Sequence, residues 1–454
     1  VFRLLALAVL TLFAYSNSAH ANFWEIYGFN PRAIGMAGCH TAVTDDFTAV
    51  HYNPAALTNA EGVTFGFAYV TTVADLDLKF DKTPTIQGLQ APDASSVSFG
   101  TSFALGGDAA KGLIAMGLGI NVPTRSLLNG QALDPAIPHW YMYQTLPERI
   151  AANLGIGVKP FSWMSLGIAA QFLAGLTGEL DYELDVVSGR FSRKTVLFDI
   201  EPKVAPLVGA EFRPIDNLRL GFNYRKSLST PIDLPVNVVV TGLADLLVET
   251  SFTVQFIPDI YDFGASYLIK DWNLLVAAEL SWARWSQAPG PAVRSRIDVS
   301  GELFEGTGLS EVLDAPAPGQ ARLVDLGYRD IVTTRIAVER SFETFALRGG
   351  YAIRPSPAPI QVSDTNYVDG TAHHIGLGVR VNWQDPWKAF ANPVIADLGM
   401  QTLYHPSRRH QKIDSTDDVG SYNASGFVWV IGFSLSYKFE EEIKGDIESP
   451  REKS

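Results

Sequence analysis

Two histidines and two aspartates crowd one short stretch: His40, Asp45, Asp46 and His51. Imidazole and carboxylate groups this close in sequence are the kind that hold a transition metal or pass a proton. The same groups can also be solvated or hydrogen-bonded inside a folded segment, and that reading has the better support. The chain holds no H-E-x-x-H, no G-x-S-x-G, no P-loop and no Rossmann fingerprint. His373 and His374 are neighbours on a strand-like segment and so face opposite sides, as a rim pair and not a metal site. No metal or cofactor is expected, and the chain is not read as an enzyme. Cys39 is the single cysteine, so no intramolecular disulfide forms. Met36-Ala37-Gly38-Cys39 has the look of a lipidation box. The residues before it are Asn30, Pro31 and Arg32, not the apolar run that such a box requires.

A second set of charges is scattered but regular. Glu279, Arg335, Glu339 and Arg348 fall on three successive segments of alternating character, always on the less apolar face. Buried without partners, each would be costly. The expectation is a cross-strand ion network. These residues have meaning only once the elements that carry them are placed.

Those elements are strands. In Gly112–Pro123, Ile114, Met116, Leu118, Ile120 and Val122 alternate with Ala115, Gly117, Gly119 and Asn121. In the last segment Phe427, Trp429, Ile431, Phe433, Leu435, Tyr437 and Phe439 share one face. About fourteen such segments follow residue 62, each about ten residues long, the signature of an outer-membrane barrel. Short turns alternate with long loops, among them Leu176–Thr195. Two segments are read as single strands, 218–231 and 252–269, the latter with a bulge near Pro258-Asp259. No stretch after the N-terminus has enough consecutive apolar residues for a transmembrane helix. Charged residues are only 18%, and the net charge of −13 argues against nucleic acid as a partner.

Before the strands, Ile34–Leu57 is small, polar and Gly/Ala-rich, ending on Asn53-Pro54-Ala55. The reading is a plug, or hatch, inside the barrel. The full division is 1–21 as an export signal with an Ala19-His20-Ala21 cleavage site, 22–61 as the hatch, 62–439 as the barrel, and 440–454 as a charged tail. The fold class is therefore all-β: a transmembrane antiparallel barrel with an N-terminal hatch in its lumen.

The segments GFNPRAIGMAGCHTAVTDDFTAVHYNPAAL, PDIYDFGASYLIKDWNLLVAAELSWARW, DLGYRDIVTTRIAVERSFETFALRGGYAIRPSPAP and the terminal SLSYKF resemble, in this order, the FadL/TodX-type outer-membrane transporters of long-chain fatty acids and other hydrophobic compounds. The resemblance spans nearly the whole chain after the signal. It implies passive uptake in the bacterial outer membrane, with Asn53, Pro54 and Ala55 as the hatch motif and sideways release at a kinked third strand. It differs in the fifteen residues that follow Phe439, where members of the family usually stop. The expected partners are a hydrophobic small molecule and outer-membrane lipid, with the barrel working as a monomer. Two other classes stay open: a non-transporting barrel that scaffolds a secretion or surface complex, and a barrel hydrolase.

Two sites are expected on this basis. The outer loop Thr124–Glu148 is rich in apolar groups, and Leu127, Leu128, Leu133, Trp140, Tyr141 and Tyr143 would form an exposed capture groove. Strands three to five have small uncharged inward faces, with Gly117, Gly119, Gly155 and Gly157. Either the plug packs there, or this bare wall is the ligand route and the third strand bends at its glycines. A bulky Gly117→Trp or Gly155→Trp would then block uptake in an assembled barrel.

Overall fold

The computed structural model describes residues 23–60, 62–82, 91–105, 112–125, 136–144, 149–185, 190–240, 244–289, 294–300, 327–363, 365–384, 390–413 and 419–439. The signal, the charged tail and Leu127, Leu128 and Leu133 of the expected capture loop lie outside these residues.

Fourteen antiparallel strands close one barrel. They are β1 (Val63–Phe80), β2 (Ser95–Ala104), β3 (Ile114–Pro123), β4 (Ala151–Phe161), β5 (Met164–Asp185), β6 (Arg190–Ile215) and β7 (Leu218–Arg225). The circuit continues through β8 (Ile260–Ile269), β9 (Leu274–Ala283), β10 (Ile331–Ser341), β11 (Phe345–Arg354), β12 (Ala372–Trp383), β13 (Val394–His410) and β14 (Tyr422–Phe439). Closure comes from β1 on β14, paired from Val63↔Phe439 to Phe80↔Tyr422. Closure removes every edge in the barrel wall, so its backbone polar groups are paired within the sheet.

Alternation sorts the side chains as the sequence pattern requires. On β14, Phe427, Ile431, Phe433 and Leu435 are exposed outward, while Val428 and Val430 are fully buried inward. Aromatic rings gather at two levels of the outer face. Tyr224, Tyr261 and Trp282 form a run toward the long-loop end, as do Tyr404, Phe427 and Trp429. Phe161, Trp163 and Phe212 stack at the short-turn end, where Tyr437 meets Phe439. Phe427 and Tyr437 are ten residues apart on one strand. At ~3.4 Å per residue and a tilt of ~40°, that is about 26 Å, the height of an outer-membrane apolar band.

Two strand readings need correction. The segment 252–269 is not one bulged strand. Ala244–Ile257 belongs to an outer hairpin with Leu228–Val240, and β8 starts at Ile260. Pro258 has no N–H for a ladder, and Asp259 turns to accept from Ser227 N at 2.7 Å, so the chain changes partners there. The phase slip marks that change. For the same reason 218–231 splits after Arg225. Leu176–Thr195, read as a loop, is mostly ladder: β5 and β6 stay paired as far as Asp185↔Arg190. Leu228–Val240 then pairs in parallel with the tip of β5, at Leu180↔Val236 to Leu184↔Val240.

Candidate functional site: the plug and its seat

Residues 23–59 fill the lumen as short helical turns, α1 (Phe23–Tyr27), α2 (Pro31–Gly35) and α3 (Ala49–Tyr52), followed by a 3-10 turn (Pro54–Asn59). Each begins where its sequence allows. Asn30 caps α2 by accepting from Ala33 N at 2.9 Å, with Pro31 in the first helical position. Asn53 is extended, as a residue before proline should be, and its Oδ1 accepts from Ala55 N. Its Nδ2 donates to Thr41 O within the plug and to Ala210 O on β6. So the Asn53-Pro54-Ala55 motif ties the plug both to itself and to the wall.

The wall receives the plug on a belt of inward glycines. Gly66 on β1 lies directly opposite Gly100 on β2, which in turn lies opposite Gly119 on β3. Gly117 pairs Gly155, Gly157 pairs Gly167, and Gly167 pairs Gly209. Gly221 pairs Gly264. Gly350 pairs Gly376, Gly378 pairs Gly399, and Gly399 pairs Gly432. Only β9 and β10 lack a belt glycine, and they carry the buried Ala277 and Ala337 opposite each other. A methyl group on the belt would strike the plug almost everywhere. At Gly167 it would stand 2.2 Å from the carbonyl carbon of Pro54, and at Gly399 2.2 Å from Pro31 O. Glycine here is a matter of close approach.

This bears on the bare wall of β3–β5. Gly117 faces Leu57 and Val50, Gly119 faces Phe29, Gly155 lies 3.5 Å from Leu57 for an added Cβ, and Gly157 meets Pro54 O. The plug fills this space. A tryptophan at 117 or 155 would collide with the plug itself, so blocked uptake in such a variant would not locate a route. β3 is also continuously paired, with β2 from Ala115 to Pro123 and with β4 from Ile114 to Asn121, and no bulge interrupts it.

Opposite that wall the contacts are ionic. Glu279 on β9 accepts from His40 N (3.0 Å) and Thr41 N (2.8 Å) of the plug, and from Arg335 on β10 at 2.9 Å. Glu339 on β10 takes a two-pronged contact from Arg32, at 2.9 and 3.0 Å, and also pairs with Arg348. Arg348 reaches on to Asp397, which Arg380 also holds at 3.1 Å. The four residues singled out from sequence thus form two clusters, one on Glu279 and one on Glu339. Sequence reasoning left out Arg32 and Asp397. Arg32 was visible as the one arginine of the hatch stretch, and Asp397 as an acid on the inward face of β13.

A second tie lies on β5 and β6, where Thr58 Oγ1 donates to Ser165 (2.9 Å) and Asn59 donates to Glu211 (2.9 Å). A third tie joins Glu25 of α1 to Arg225 on β7 at 2.6 Å, and Arg225 also holds Asp262 at 3.0 Å. Between these charges and Tyr52, His374 and Gln401 lies a polar cavity of about 60 Å³. That is room for roughly two waters. His51 accepts from Arg225 through Nε2 at 3.1 Å, which makes it neutral. Burial, with the nearby Arg32 charge, pushes His40 down to about 3. Neither imidazole is placed as a proton shuttle, and no metal-ligand cluster occurs among the described residues. His373 and His374 take opposite faces, one against Tyr351 and the other against Gln401.

Above the plug the aromatic residues of the outer loop are not an exposed groove. Trp140, Tyr141 and Tyr143 are 0%, 2% and 1% exposed. His139–Trp140 pairs in parallel with Tyr367–Val368, and Tyr141 packs edge-on against Trp285, Tyr328 and Tyr367. Tyr143 bonds His405 at 2.8 Å and lies 6.4 Å from Tyr27 of α1. An apolar loop in a wide mouth finds neighbours to bury itself against, and burial wins over exposure. Trp140→Ala should therefore cost ~3–5 kcal/mol as a core truncation. A lowered thermal midpoint checks this, and an unchanged midpoint would contradict the burial.

From this cluster a run of rings leads down. Tyr143 meets Tyr27, Tyr27 meets Phe23, Trp24 stacks on Phe29 at 3.8 Å, and Phe29 meets Phe47 at 5.6 Å. All belong to one buried apolar cluster.

No family model matches the chain. It is similar to alkane uptake protein A of Marinobacter nauticus, with 24% identity over 456 residues, covering 93% of each chain. A solved FadL homologue from Pseudomonas aeruginosa superposes with a TM-score of 0.58 at 13% identity, over 93% of this chain and 100% of that one. The toluene transporter TodX of P. putida gives 0.53 at 14%, over 91% and 99%.

Proposed function

We propose, for a chain that has the fold of the FadL/TodX-type transporters, passive uptake of hydrophobic compounds across the bacterial outer membrane, with long-chain fatty acids or hydrocarbons as ligands and the barrel acting as a monomer among outer-membrane lipids. The observation that carries this reading is the buried apolar cluster, rich in aromatic rings, that reaches from the Trp140–Tyr143 loop through the plug to the glycine belt. A polar solute has no use for such a lining, whereas an apolar one gains from it at every step. The names of the similar proteins, an alkane uptake protein and a toluene transporter, support the same reading.

Trp140, Tyr141 and Tyr143 stand at the threshold of the run, where ligand enters by displacing loop contacts. Release is sideways at β3, where Gly117 and Gly119 weaken the strand and the facing plug groups are apolar. Because β3 is fully paired here, release requires the plug side chains to move and the strand to part from a neighbour. Sideways release keeps an alkyl chain out of the periplasm and avoids about 0.8 kcal/mol per CH₂. Asn53, Pro54 and Ala55 hold the plug in register throughout.

The test is uptake by a bacterial host lacking its own hydrophobic-compound transporter, supplied with labelled hexadecane or labelled oleate. Cells with the chain should accumulate at least one of them several-fold faster than cells without it. Equal accumulation of both, with the barrel assembled, would sink the proposal.

A further inference from the structure

The belt is closed in two different ways. Along β5–β8 and β11–β13 the atoms facing the glycines are mainly plug backbone: Pro54, Thr41 and Ala42 on one side, and Met36, Gly35 and Pro31 on the other. A backbone so placed cannot withdraw without moving the whole plug. Along β14, β1, β2 and β3 the glycines face side chains instead: Ile34, Phe47, Val50 and Phe29. The ion pairs described above run from the plug to β7 and β10, across the barrel from this sector.

Phe47 occupies the centre of this sector. An added Cβ on Gly66 would lie 2.0 Å from its ring, and one on Gly100 would lie 1.9 Å from it. Those two glycines are direct partners across β1 and β2. The ring therefore fills a slot that only a paired glycine leaves open. It is also the last ring of the buried aromatic run, reached through Phe29. The residues before it are wet: Asp45 has a side chain 42% exposed, and Asp46 is partly exposed. Phe47 thus stands between the buried rings above it and the solvent-exposed Asp45.

We infer that Phe47 is the gate before the β3 exit, a single ring whose rotation out of the Gly66–Gly100 slot opens the belt beside β1 and β2, next to Gly119 on β3, while the anchored sectors of the plug stay in place. This rests on the proposed uptake function and narrows it to one side chain. One aromatic rotation is cheap next to unseating a plug held by buried ion pairs. The opened slot is lined by glycine and apolar side chains, surroundings that suit a hydrocarbon, and with the ring absent it is also a gap that water and ions can enter.

The test uses the full-length protein in planar bilayers and in the complementing host. Phe47→Ala removes the ring. Gly100→Ala keeps it but expels it from the slot. Both should raise ion conductance well above the wild-type level and speed labelled hexadecane or oleate uptake several-fold. The double variant should leak no more than Phe47→Ala alone, because both changes act on one contact. Met36→Ala, which removes comparable apolar packing against Ala277 and Ala337, should stay closed. Heat-modifiable migration on gels confirms assembly. If Phe47→Ala does not assemble, Gly100→Ala decides alone. Conductance at the wild-type level in an assembled Phe47→Ala or Gly100→Ala barrel overturns the gate. So does an equal rise in Met36→Ala, which would mean general loosening. Conductance is read without any hydrocarbon, so a wild-type protein that fails to take up either ligand rejects the uptake function and leaves the gate to be judged on its own.

Discussion

Gly350→Val should unseat the plug, and Gly349→Val next to it should not. The two residues are adjacent on β11 but face opposite sides. A Cβ on Gly350 would stand 2.3 Å from the carbonyl carbon of Met36 and 2.5 Å from its oxygen. A Cβ on Gly349 would meet nothing within 4 Å. The obstacle at 350 is backbone, so no rotamer change relieves it. Overpacking of this kind costs ~1–3 kcal/mol where side chains can adjust, and more where they cannot. The plug has an alternative to absorbing that cost, which is to leave its seat, because the closed barrel keeps its own ladder. The expected result is an assembled, heat-modifiable barrel in which residues 23–60 become open to protease and ion conductance rises by an order of magnitude or more. The Gly349→Val barrel should match wild type in both measurements. A protected plug in Gly350→Val would show that the belt is not a seat.

The second large effect is expected from Glu339→Gln. The change preserves shape and removes one charge. Glu339 accepts from Arg32 at 2.9 and 3.0 Å and pairs with Arg348, whose side chain is fully buried. Arg32 keeps Asp45 at 2.7 Å, but that carboxylate is 42% exposed and is the weaker partner. Removing one member of a buried ionic cluster costs ~3–5 kcal/mol, largely through the charge left uncompensated. A lowered denaturation midpoint and a protease-sensitive plug should appear together, because the bond joins plug to wall. The contrast is Arg409→Gln. Arg409 pairs with Asp81 at 2.8 Å in the open, where water and salt already compete for both charges, and its loss should leave the midpoint unmoved. Equal effects from the two variants would place the Glu339 cluster in water.

Much of this was legible in the residues alone. Strand alternation is local, set by a two-residue period, so the faces of β3 and β14 follow from the order of side chains in one dimension. The inward placement of Glu279, Arg335, Glu339 and Arg348 came from the same arithmetic. The Asn53-Pro54 step punctuates the chain through backbone sterics that need no tertiary partner. What alternation cannot supply is the register between strands that long loops join. Gly66 lies across from Gly100, and Gly399 from Gly432, by a stagger that the order of side chains along either strand does not fix. Each glycine alone reads as a weak point in a strand, and only the ring reads as a seat. The loop carrying Trp140, Tyr141 and Tyr143 was misjudged for a related reason. Its composition shows that it must bury apolar area, but not against what, and Tyr367, Trp285 and His405 arrive from segments more than a hundred residues away. Phe47 was one more apolar residue in a hatch until the slot between two strands gave its ring a place to leave.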